Sequence, residues 1–247
     1  MNKSCWIIAG ATSAIAMRFA HIVAKEGHQI ILLGRNREKL AAIQADLHIR
    51  YSASVDYLWF DALTVDEHAQ IAKTCAALAK APMQLWVAFG VMFSGMAGDH
   101  SLSQAVATVH SNFTGVVSVI YAFLPYFKQQ KEGHIIILGS VAGDRGRASN
   151  FVYGAAKAAL IPFCDGLRAT LLPDHISVTL MKLGFIDTPL TFGKPGVFLA
   201  ASPEDCARAC FKAAEKGKYE KYFPWFWRWI MLIFKCMPNA ILYRLKM

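Results

Sequence analysis

Short runs of consecutive apolar residues alternate with longer stretches of helical pattern along most of the chain. The runs are rich in Ile, Val and Leu and lack a polar alternation, which is typical of strands buried on both faces of a parallel sheet. Six strands are predicted in this way: Trp6–Gly10, Gln29–Leu33, Val55–Phe60, Gln84–Phe89, Ile135–Leu138 and Ile176–Leu183. The alternation therefore predicts an α/β domain built on one doubly wound sheet.

Helices are predicted between these strands, so that both faces of the sheet are covered. They are expected near residues 14–26, 37–49, 65–80, 102–130, 150–172 and 203–216. The composition changes only near Pro224, where an apolar and basic segment begins. We therefore predict a Rossmann-like α/β domain over residues 1–224 and a C-terminal apolar helical extension over residues 225–247.

The composition excludes two classes of protein. The chain has 247 residues, of which 55% are hydrophobic, and its mean hydropathy is +0.33, so it can bury a large core. Intrinsic disorder and a small disulfide scaffold are thereby excluded. The six cysteines are scattered without CxxC spacing, which favours reduced thiols in the cytoplasm and no metal site. The longest charge-free stretch, His100–Phe127, contains too many polar residues for a predicted membrane span.

The excess of basic residues is concentrated near the C-terminal end. The chain carries 26 Lys and Arg against 17 Asp and Glu, and eight of the basic residues but only two Glu lie from Lys212 onward. They are interleaved with Trp and Phe in an apolar context, which suits a lipid surface better than the phosphates of a nucleic acid. We therefore expect no nucleic-acid partner.

A turn of small residues follows the first predicted strand. The segment Gly10–Ala16 reads Gly-Ala-Thr-Ser-Ala-Ile-Ala and precedes a helix. At such a place the backbone N–H groups and the helix dipole favour a pyrophosphate. Taken alone, the turn is equally typical of ordinary packing between a strand and a helix.

The loop after the second strand bears on the choice of cofactor. A dinucleotide without a 2′-phosphate usually meets an acid here, but this loop contains Arg35 and Arg37 and no acid. Guanidinium groups suit a phosphate, so the loop favours NADP(H) over NAD(H), although Arg37 fits a solvated surface charge equally well. Asp61, after the third strand, either hydrogen-bonds an adenine amino group or caps the next turn.

Tyr153 and Lys157 are four residues apart in a predicted helix and therefore share one face. A free tyrosine has a pKa of about 10, and a nearby ammonium is expected to lower it and to prepare the phenol for acid–base catalysis. Ser140 follows the strand Ile135–Leu138 at the same crevice, where its hydroxyl can bind a carbonyl that Tyr153 protonates. Asn112, in the long helix, is either a core amide or the anchor of a water chain to Lys157.

These motifs fall in the order found in short-chain dehydrogenases/reductases, and the chain resembles that family over roughly residues 4–224. The segments that carry the resemblance are Gly10–Ala16, Asp61, Asn112-x-x-Gly115, Ser140, Tyr153-x-x-x-Lys157 and Gly184-x-x-x-Thr188. The resemblance implies an NADP(H)-dependent oxidoreductase that interconverts a ketone and a secondary alcohol. It also implies a homo-oligomer, either a dimer or a tetramer.

The resemblance further implies roles for single residues. Tyr153 is the expected acid/base, Ser140 orients the carbonyl, and Lys157 binds the nicotinamide ribose and tunes Tyr153. Asn112 is expected to hold a relay water. The implied cofactor contacts are Gly10, Thr12, Ser13, Ala14, Ile15, Arg35, Asp61, Gly90, Tyr153, Lys157, Gly184, Ile186 and Thr188.

The chain departs from the family pattern at two places. Ala14 and Ala16 stand where the family has the second and third glycines of the turn, which adds two methyl groups near the pyrophosphate. The segment Val87–Gly90 reads Val-Ala-Phe-Gly where the family usually has Asn-Asn-Ala-Gly, which removes polar side chains around the cofactor. Neither departure affects the residues expected to transfer the proton.

A narrower resemblance concerns the substrate. The segment Gly139–Arg147, together with the Trp-rich end, is similar to the keto-reductase partner in decaprenylphosphoryl-ribose 2′-epimerisation, which implies a keto sugar on a polyprenyl phosphate. Asp144, Arg145 and Arg147 then either line a sugar-phosphate pocket or pair with charges of the same chain. The alternatives are a reductase of a free lipid ketone, steroid or acyl, and a cofactor-binding partner subunit without turnover.

The pattern of the C-terminal segment predicts attachment to a membrane. Trp225, Trp227 and Trp229 are half of the six tryptophans, and the apolar run Ile230–Phe234 follows them. The run is too short to cross about 30 Å of hydrocarbon, and Pro238 interrupts it. With the flanking Lys and Arg residues, this favours a peripheral position on the inner, cytoplasmic face of a membrane. The alternatives are a dimer interface and closure of the substrate pocket.

Overall fold

All strands of the described chain run parallel in a single sheet. The structure, a computed structural model, describes residues 3–93, 101–193, 197–242 and 244. The strands are β1 (Cys5–Ala9), β2 (Gln29–Gly34), β3 (Val55–Trp59), β4 (Met83–Val87), β5 (Gly133–Ser140), β6 (Ile176–Leu183) and β7 (Glu220–Phe223). Their order across the sheet is β3-β2-β1-β4-β5-β6-β7, which confirms the predicted doubly wound fold.

Helices cover both faces of this sheet. They are α1 (Ala14–Lys25), α2 (Arg37–Tyr51), α3 (His68–Leu78), α4 (Leu102–Val109), α5 (Gly115–Gln130), α6 (Phe151–Leu171), α7 (Pro203–Glu215), α8 (Trp227–Cys236) and α9 (Asn239–Leu242). Successive strand residues point to opposite faces. In β1, Trp6 and Ile8 therefore pack with α1, α2 and α7, and Ile7 packs with α3, α5 and α6. A strand that is apolar throughout thus contributes to the hydrophobic core on each face of the sheet.

The edge strand β7 was not predicted from the sequence. It reads Glu-Lys-Tyr-Phe, spans four residues and pairs only with β6, at the edge of the sheet. Edge strands are commonly short and charged, so a search for apolar runs does not find them. The other six strands lie at the predicted positions.

The predicted long helix is continuous from Leu102 to Gln130 and contains a wider π-helical turn at His110–Thr114. Among the described residues it is the one helix that is long and apolar enough to cross a membrane, judged by length and composition alone. The prediction that this stretch is too polar to qualify was therefore wrong. Its apolar residues pack on the sheet, through Val119 and Phe123 among others, and 44% of its most apolar window is buried within the fold.

The C-terminal segment packs on the loop that follows β5. Trp227 and Met231 of α8 are buried in a small cluster with Val141, and Pro238 separates α8 from α9. The division of the chain at residue 224 stays a prediction, because no observation tests it. Residues 243 and 245–247 of the predicted segment lie outside the described residues.

Candidate active site

A cleft of about 360 Å³ opens at the carboxyl ends of β1, β4, β5 and β6. The chain reverses its direction of progress across the sheet between β1 and β4, and doubly wound folds bind their ligands at such a switch point. The walls are formed by the turn before α1, the loop after β5, the first turns of α6, the segment after β6, and α8.

The turn before α1 has the backbone of an anion site. Gly10 has a φ of +85°, and a Cβ there would lie 2.9 Å from the Phe89 backbone nitrogen, so the position requires glycine. Ser13 caps the helix by accepting a hydrogen bond from the Ala16 N–H at 3.2 Å. Four of the five predicted contacts on this turn line the cleft, namely Thr12, Ser13, Ala14 and Ile15, whereas Gly10 is not among the lining residues. The remaining N–H groups of the first helical turn have no partner within the helix and suit a pyrophosphate.

The two alanines of this turn are not equivalent. Ala16 is fully buried in the core between α1 and the sheet, so its methyl group points away from the cleft. Ala14 does line the cleft and is the one added methyl group that a pyrophosphate would approach.

Arg35 and Asp61 lie beside each other outside the walls of the cleft. An Arg35 nitrogen is 3.9 Å from a carboxylate oxygen of Asp61, and the Arg35 side chain is 69% exposed. Asp61 also accepts a hydrogen bond from the Leu63 N–H at 3.0 Å, which is the turn-capping alternative for this residue. Arg37 begins α2 and is exposed.

Asn112 is fully buried in the π-helical turn at the back of the cleft. Its amide nitrogen donates to the Val91 carbonyl at 2.7 Å and to the Thr108 carbonyl at 2.9 Å, whereas its Oδ1 has no partner among the described residues. A Cβ on Gly90 would overlap this oxygen and would lie 3.5 Å from Lys157 Nζ. Glycine at position 90 therefore leaves space that the Asn112 amide and the Lys157 ammonium both border.

Ser140, Tyr153 and Lys157 converge on the centre of the cleft, as predicted. Ser140 ends β5 and its hydroxyl accepts from the Ala142 N–H at 3.1 Å, which leaves its proton free to donate. Lys157 Nζ donates to the Leu138 carbonyl at 2.8 Å and lies 5.9 Å from the centre of the Tyr153 ring.

Burial controls the proton affinities of these groups. It raises the pKa of Tyr153, and the hydrogen bond with Ser140 opposes that shift only in part. It also lowers the pKa of Lys157 to about 8. The expected net lowering of the Tyr153 pKa was therefore wrong for this structure, because desolvation penalises the phenolate. At neutral pH Tyr153 is a protonated phenol and Lys157 is mostly charged.

The segment after β6 forms the opposite wall. Gly184, Ile186 and Thr188 all line the cleft, while their contacts with the nicotinamide stay a prediction. Ile186 is buried and pairs with Ala201 in an isolated parallel bridge, which holds this segment against the body of the fold. The Gly184 N–H donates to the Phe223 carbonyl at 2.8 Å and so joins the same segment to β7.

Trp227 lines the cleft, in agreement with the alternative in which the C-terminal aromatics close the substrate pocket, although it was not named among the predicted site residues. Its indole occupies the space beside Gly184 that a side chain would need, and it packs on Phe185 and Phe198 with ring centres 5.3 and 5.5 Å away. Only 3% of Trp227 is exposed. No spacing in the sequence marks Trp227 as the inward residue, because Trp229 also has an apolar residue, Ile233, four positions on and is nevertheless exposed.

The charged residues of the loop after β5 differ in their contacts: Asp144 and Arg145 bind other residues of the chain, whereas Arg147 lines the cleft. The buried Asp144 carboxylate accepts from Lys182 at 2.9 Å and from the Tyr222 hydroxyl at 2.7 Å, and it lies 3.1 Å from Lys235 Nζ. Arg145 donates to the Met237 carbonyl and to Asn239, both in the C-terminal segment.

Internal pairing is therefore correct for Asp144 and Arg145, whereas Arg147 lines the cleft. Within the part of the chain that the structure describes, no group of His, Cys, Asp and Glu is arranged to hold a metal ion.

Comparisons with known proteins point to one family. The sequence profile of the family described as short chain dehydrogenase matches residues 4–194. An uncharacterized oxidoreductase of Mycobacterium tuberculosis is 28% identical over 235 residues, covering 95% of this chain and 94% of that protein. An uncharacterized oxidoreductase of Staphylococcus epidermidis is 29% identical over 196 residues, covering 76% and 80% respectively.

A solved structure of an alcohol dehydrogenase from the archaeon Thermococcus sibiricus, complexed with 5-hydroxy-NADP, has a TM-score of 0.80 to this chain. The two chains are 19% identical, and the match covers 90% of this chain and 96% of the archaeal one. This likeness shows a shared fold.

Proposed function

This chain belongs to the short-chain dehydrogenase family, an oxidoreductase family with a nicotinamide-cofactor fold, and we propose that it is an NADP(H)-dependent reductase of a ketone. The observation that carries the proposal is the convergence of Ser140, Tyr153 and Lys157 on one cleft, with Tyr153 kept protonated by burial. A neutral phenol is a proton donor, which is what ketone reduction requires. A subunit that only binds the cofactor has no need of this arrangement.

The residues present fit a nicotinamide dinucleotide. The turn before α1 offers backbone N–H groups and small side chains to a pyrophosphate, and Asn112 Oδ1 is a buried acceptor without a partner beside Lys157. Arg35, with only a 3.9 Å contact to Asp61, is the proposed binder of a 2′-phosphate. When bound, the cofactor supplies the hydride that reduces the carbonyl carbon.

The residues of this chain supply the proton and the positioning. The hydroxyls of Ser140 and Tyr153 bind the carbonyl oxygen, and Tyr153 transfers its proton to that oxygen as the carbon is reduced. Lys157 stabilises the resulting phenolate by its charge and would hold the ribose of a bound cofactor. Asn112 orients a water that returns a proton toward Tyr153 by way of Lys157. The product is a secondary alcohol.

A keto sugar on a polyprenyl phosphate is the proposed substrate. The cleft joins polar groups to an apolar wall that includes Phe185, Leu190 and Trp227, as an amphiphilic substrate requires. A free lipid ketone, steroid or acyl, is the second candidate, since the same wall would accept it. Oxidation of NADPH with each class of ketone separates the two.

Attachment to the cytoplasmic face of a membrane is also proposed. Trp225, Trp229 and Ile233 are 71%, 56% and 65% exposed, so α8 and the residues before it turn an apolar surface outward. The exposed rings of Phe192 and Phe198 lie on the neighbouring segment after β6. Trp and basic residues favour the interface of an anionic bilayer, where a lipid-borne substrate would meet the cleft.

A dimer or tetramer, as is usual in the family, is proposed as the assembly.

The exchange of Tyr153 for Phe tests the chemistry. Tyr153→Phe removes the transferred proton but keeps the ring, so ketone reduction should fall by a factor of about 10² or more. The affinity for NADPH, measured by fluorescence titration, should change little. Tyr121→Phe, on an exposed tyrosine of α5, is the matched control. Near wild-type turnover by Tyr153→Phe would contradict the proposed mechanism.

A further inference from the structure

Unpaired polar atoms are concentrated in the cleft. Among the described residues, six buried side-chain nitrogen or oxygen atoms have no hydrogen-bond partner. Four of the six belong to residues that line the cleft, namely Asn112, Arg147, Asn150 and Trp227. A buried polar group without a partner is costly, and native proteins keep few of them. Their concentration in one place indicates a ligand that satisfies them.

Arg147 is the charged member of this group. Its Nε is enclosed and unpaired, and burial lowers the pKa of its guanidinium. Arg147 and Lys157 both line the cleft, whereas none of the described lining residues is acidic. Arg147 is half-buried, and its enclosed Nε has no partner among the described residues, so an anion in the cleft would stabilise its guanidinium.

Two further members of this group, Asn150 and Trp227, line the same cleft as Arg147. Asn150 immediately precedes α6, where an asparagine usually caps the helix, yet its side chain makes no capping hydrogen bond and its Oδ1 is unpaired. Trp227 is held by Phe185 and Phe198, so its indole N–H has a fixed direction. The cleft therefore presents a guanidinium with an unpaired Nε, an indole N–H held in place by two aromatic rings, and an unpaired acceptor.

We infer that Arg147 and the indole N–H of Trp227 form a subsite for an anionic group of the substrate, a phosphate or a carboxylate, while Asn150 accepts a hydrogen bond from a substrate hydroxyl. This inference rests on the proposed function, since it places the anion beside the carbonyl that Tyr153 protonates. Planar guanidinium groups bind both kinds of anion through paired hydrogen bonds. Arg147 is thus a specificity-determining residue.

The cofactor is a less suitable partner for Arg147. Its phosphates are assigned to the turn before α1 and to Arg35, whereas Arg147 lies in the loop between β5 and α6. The difference can be measured, because a cofactor contact would change the affinity for NADPH and a substrate contact would not.

Kinetics with matched ketones test the subsite. The probes are dihydroxyacetone phosphate against dihydroxyacetone, and 4-oxopentanoate against its methyl ester. In the pair whose charged ketone the wild type prefers, Arg147→Gln should lower kcat/KM for that charged ketone about 10- to 100-fold, mainly because KM rises. The neutral member and the Kd of NADPH should change less than about threefold, and Arg147→Lys should restore part of the loss. The pair that shows this selective loss identifies the preferred anion as a phosphate or a carboxylate.

Thermal unfolding tests the same subsite without turnover. With NADP⁺ present, the preferred anionic probe should raise the Tm of the wild type and not that of Arg147→Gln. In the absence of ligand, Arg147→Met should leave the Tm unchanged or raise it by about 2–4 °C, because it removes a half-buried charge whose enclosed Nε has no partner. If Arg147 instead stabilised the fold, Arg147→Met would clearly lower the Tm.

The outcomes separate the two proposals. A wild type that binds the anion through Arg147 but reduces no ketone contradicts the proposed function and leaves the subsite in place. Three results overturn the subsite: equal losses for charged and neutral ketones, a weaker Kd for NADPH in Arg147→Gln, or no shift in wild-type Tm with either anion. Trp227→Phe, which keeps the ring and removes the N–H, should lower kcat/KM for the charged ketone about 3- to 10-fold.

Discussion

At the scale of single residues, the cleft holds a neutral proton donor, Tyr153, near a buried cation, Lys157. Burial keeps the proton on Tyr153, and it lowers the pKa of Lys157 to about 8, which leaves Lys157 charged near neutral pH. Because Lys157 donates to the Leu138 carbonyl, its ammonium is fixed before any ligand binds. The pair is therefore arranged for reduction, in which a neutral phenol gives up a proton beside a fixed positive charge.

Cofactor preference is also decided by single side chains. Arg35→Asp should reverse the preference from NADPH toward NADH, because a carboxylate repels a 2′-phosphate and accepts hydrogen bonds from ribose hydroxyls. We expect the ratio of the two Kd values to shift by about tenfold or more. Arg37→Asp, at the exposed start of α2, is the control and should have a smaller effect. An unchanged ratio in Arg35→Asp, measured by titration of both cofactors, would assign the phosphate to another group.

At the scale of elements, α8 is joined to the catalytic loop by a buried charge cluster. Asp144 contacts Lys182 of β6, Tyr222 of β7 and Lys235 of α8, and Lys182 also lies 2.9 Å from Glu220. These contacts fix α8 in the position that places Trp227 in the cleft. The same loop carries Arg147, so the helix and the loop that form the substrate wall are held as one unit.

The charge of Asp144 should therefore affect both stability and substrate binding. Asp144→Asn leaves Lys182 and Lys235 with one fewer partner, and we expect a loss of about 3–5 kcal/mol in the free energy of unfolding. The KM for the ketone should rise as Trp227 loses its fixed position. Lys235→Met is the control: its side chain is 41% exposed, so its loss should cost about 1 kcal/mol or less. Urea denaturation that shows equal losses for both variants would contradict this role for Asp144.

At the scale of the whole molecule, the apolar surface of α8 and the mouth of the cleft belong to one region. Phe198 is partly exposed and packs on Trp227, which lines the cleft, while Trp225 and Trp229 are exposed on the same segment as Trp227. A bilayer that receives this surface would therefore lie close to the site of reduction. Deleting the whole segment would not isolate membrane binding, because it would also remove Trp227 from the cleft.

Substitution of the outward residues separates the two effects. The triple variant Trp225→Ser, Trp229→Ser, Ile233→Ser keeps Trp227 and Met231, and it should lose most of its co-sedimentation with anionic liposomes. Ile49→Ser with Leu172→Ser, at exposed apolar sites elsewhere on the fold, is the control and should bind as the wild type does.

Light scattering on the same samples gives the oligomer size. If the triple variant loses its oligomeric state but still pellets with liposomes, the exposed surface is a subunit interface and the membrane proposal is wrong.

The sequence by itself determined the features that depend on local order. The apolar runs define β1, β2, β4, β5 and β6 because each of these inner strands must fill both cores. Gly10 follows from a turn that only glycine can adopt. The spacing of Tyr153 and Lys157 places them on one helix face, and Ser140 follows a buried strand. These relations extend over a few residues, or over one strand and the next helix, so the local pattern of residues is sufficient to predict them.

The tertiary structure alone decided which side chains meet across long stretches of chain. The edge strand β7 exists through pairing with β6, Asp144 meets Lys235 across ninety-one residues, and Trp227 is distinguished from Trp225 only by the surface it packs on. The proton affinity of Tyr153 likewise depends on the desolvation that the assembled cleft imposes. Burial and charge pairing are properties of the packed fold, which no local pattern of residues records.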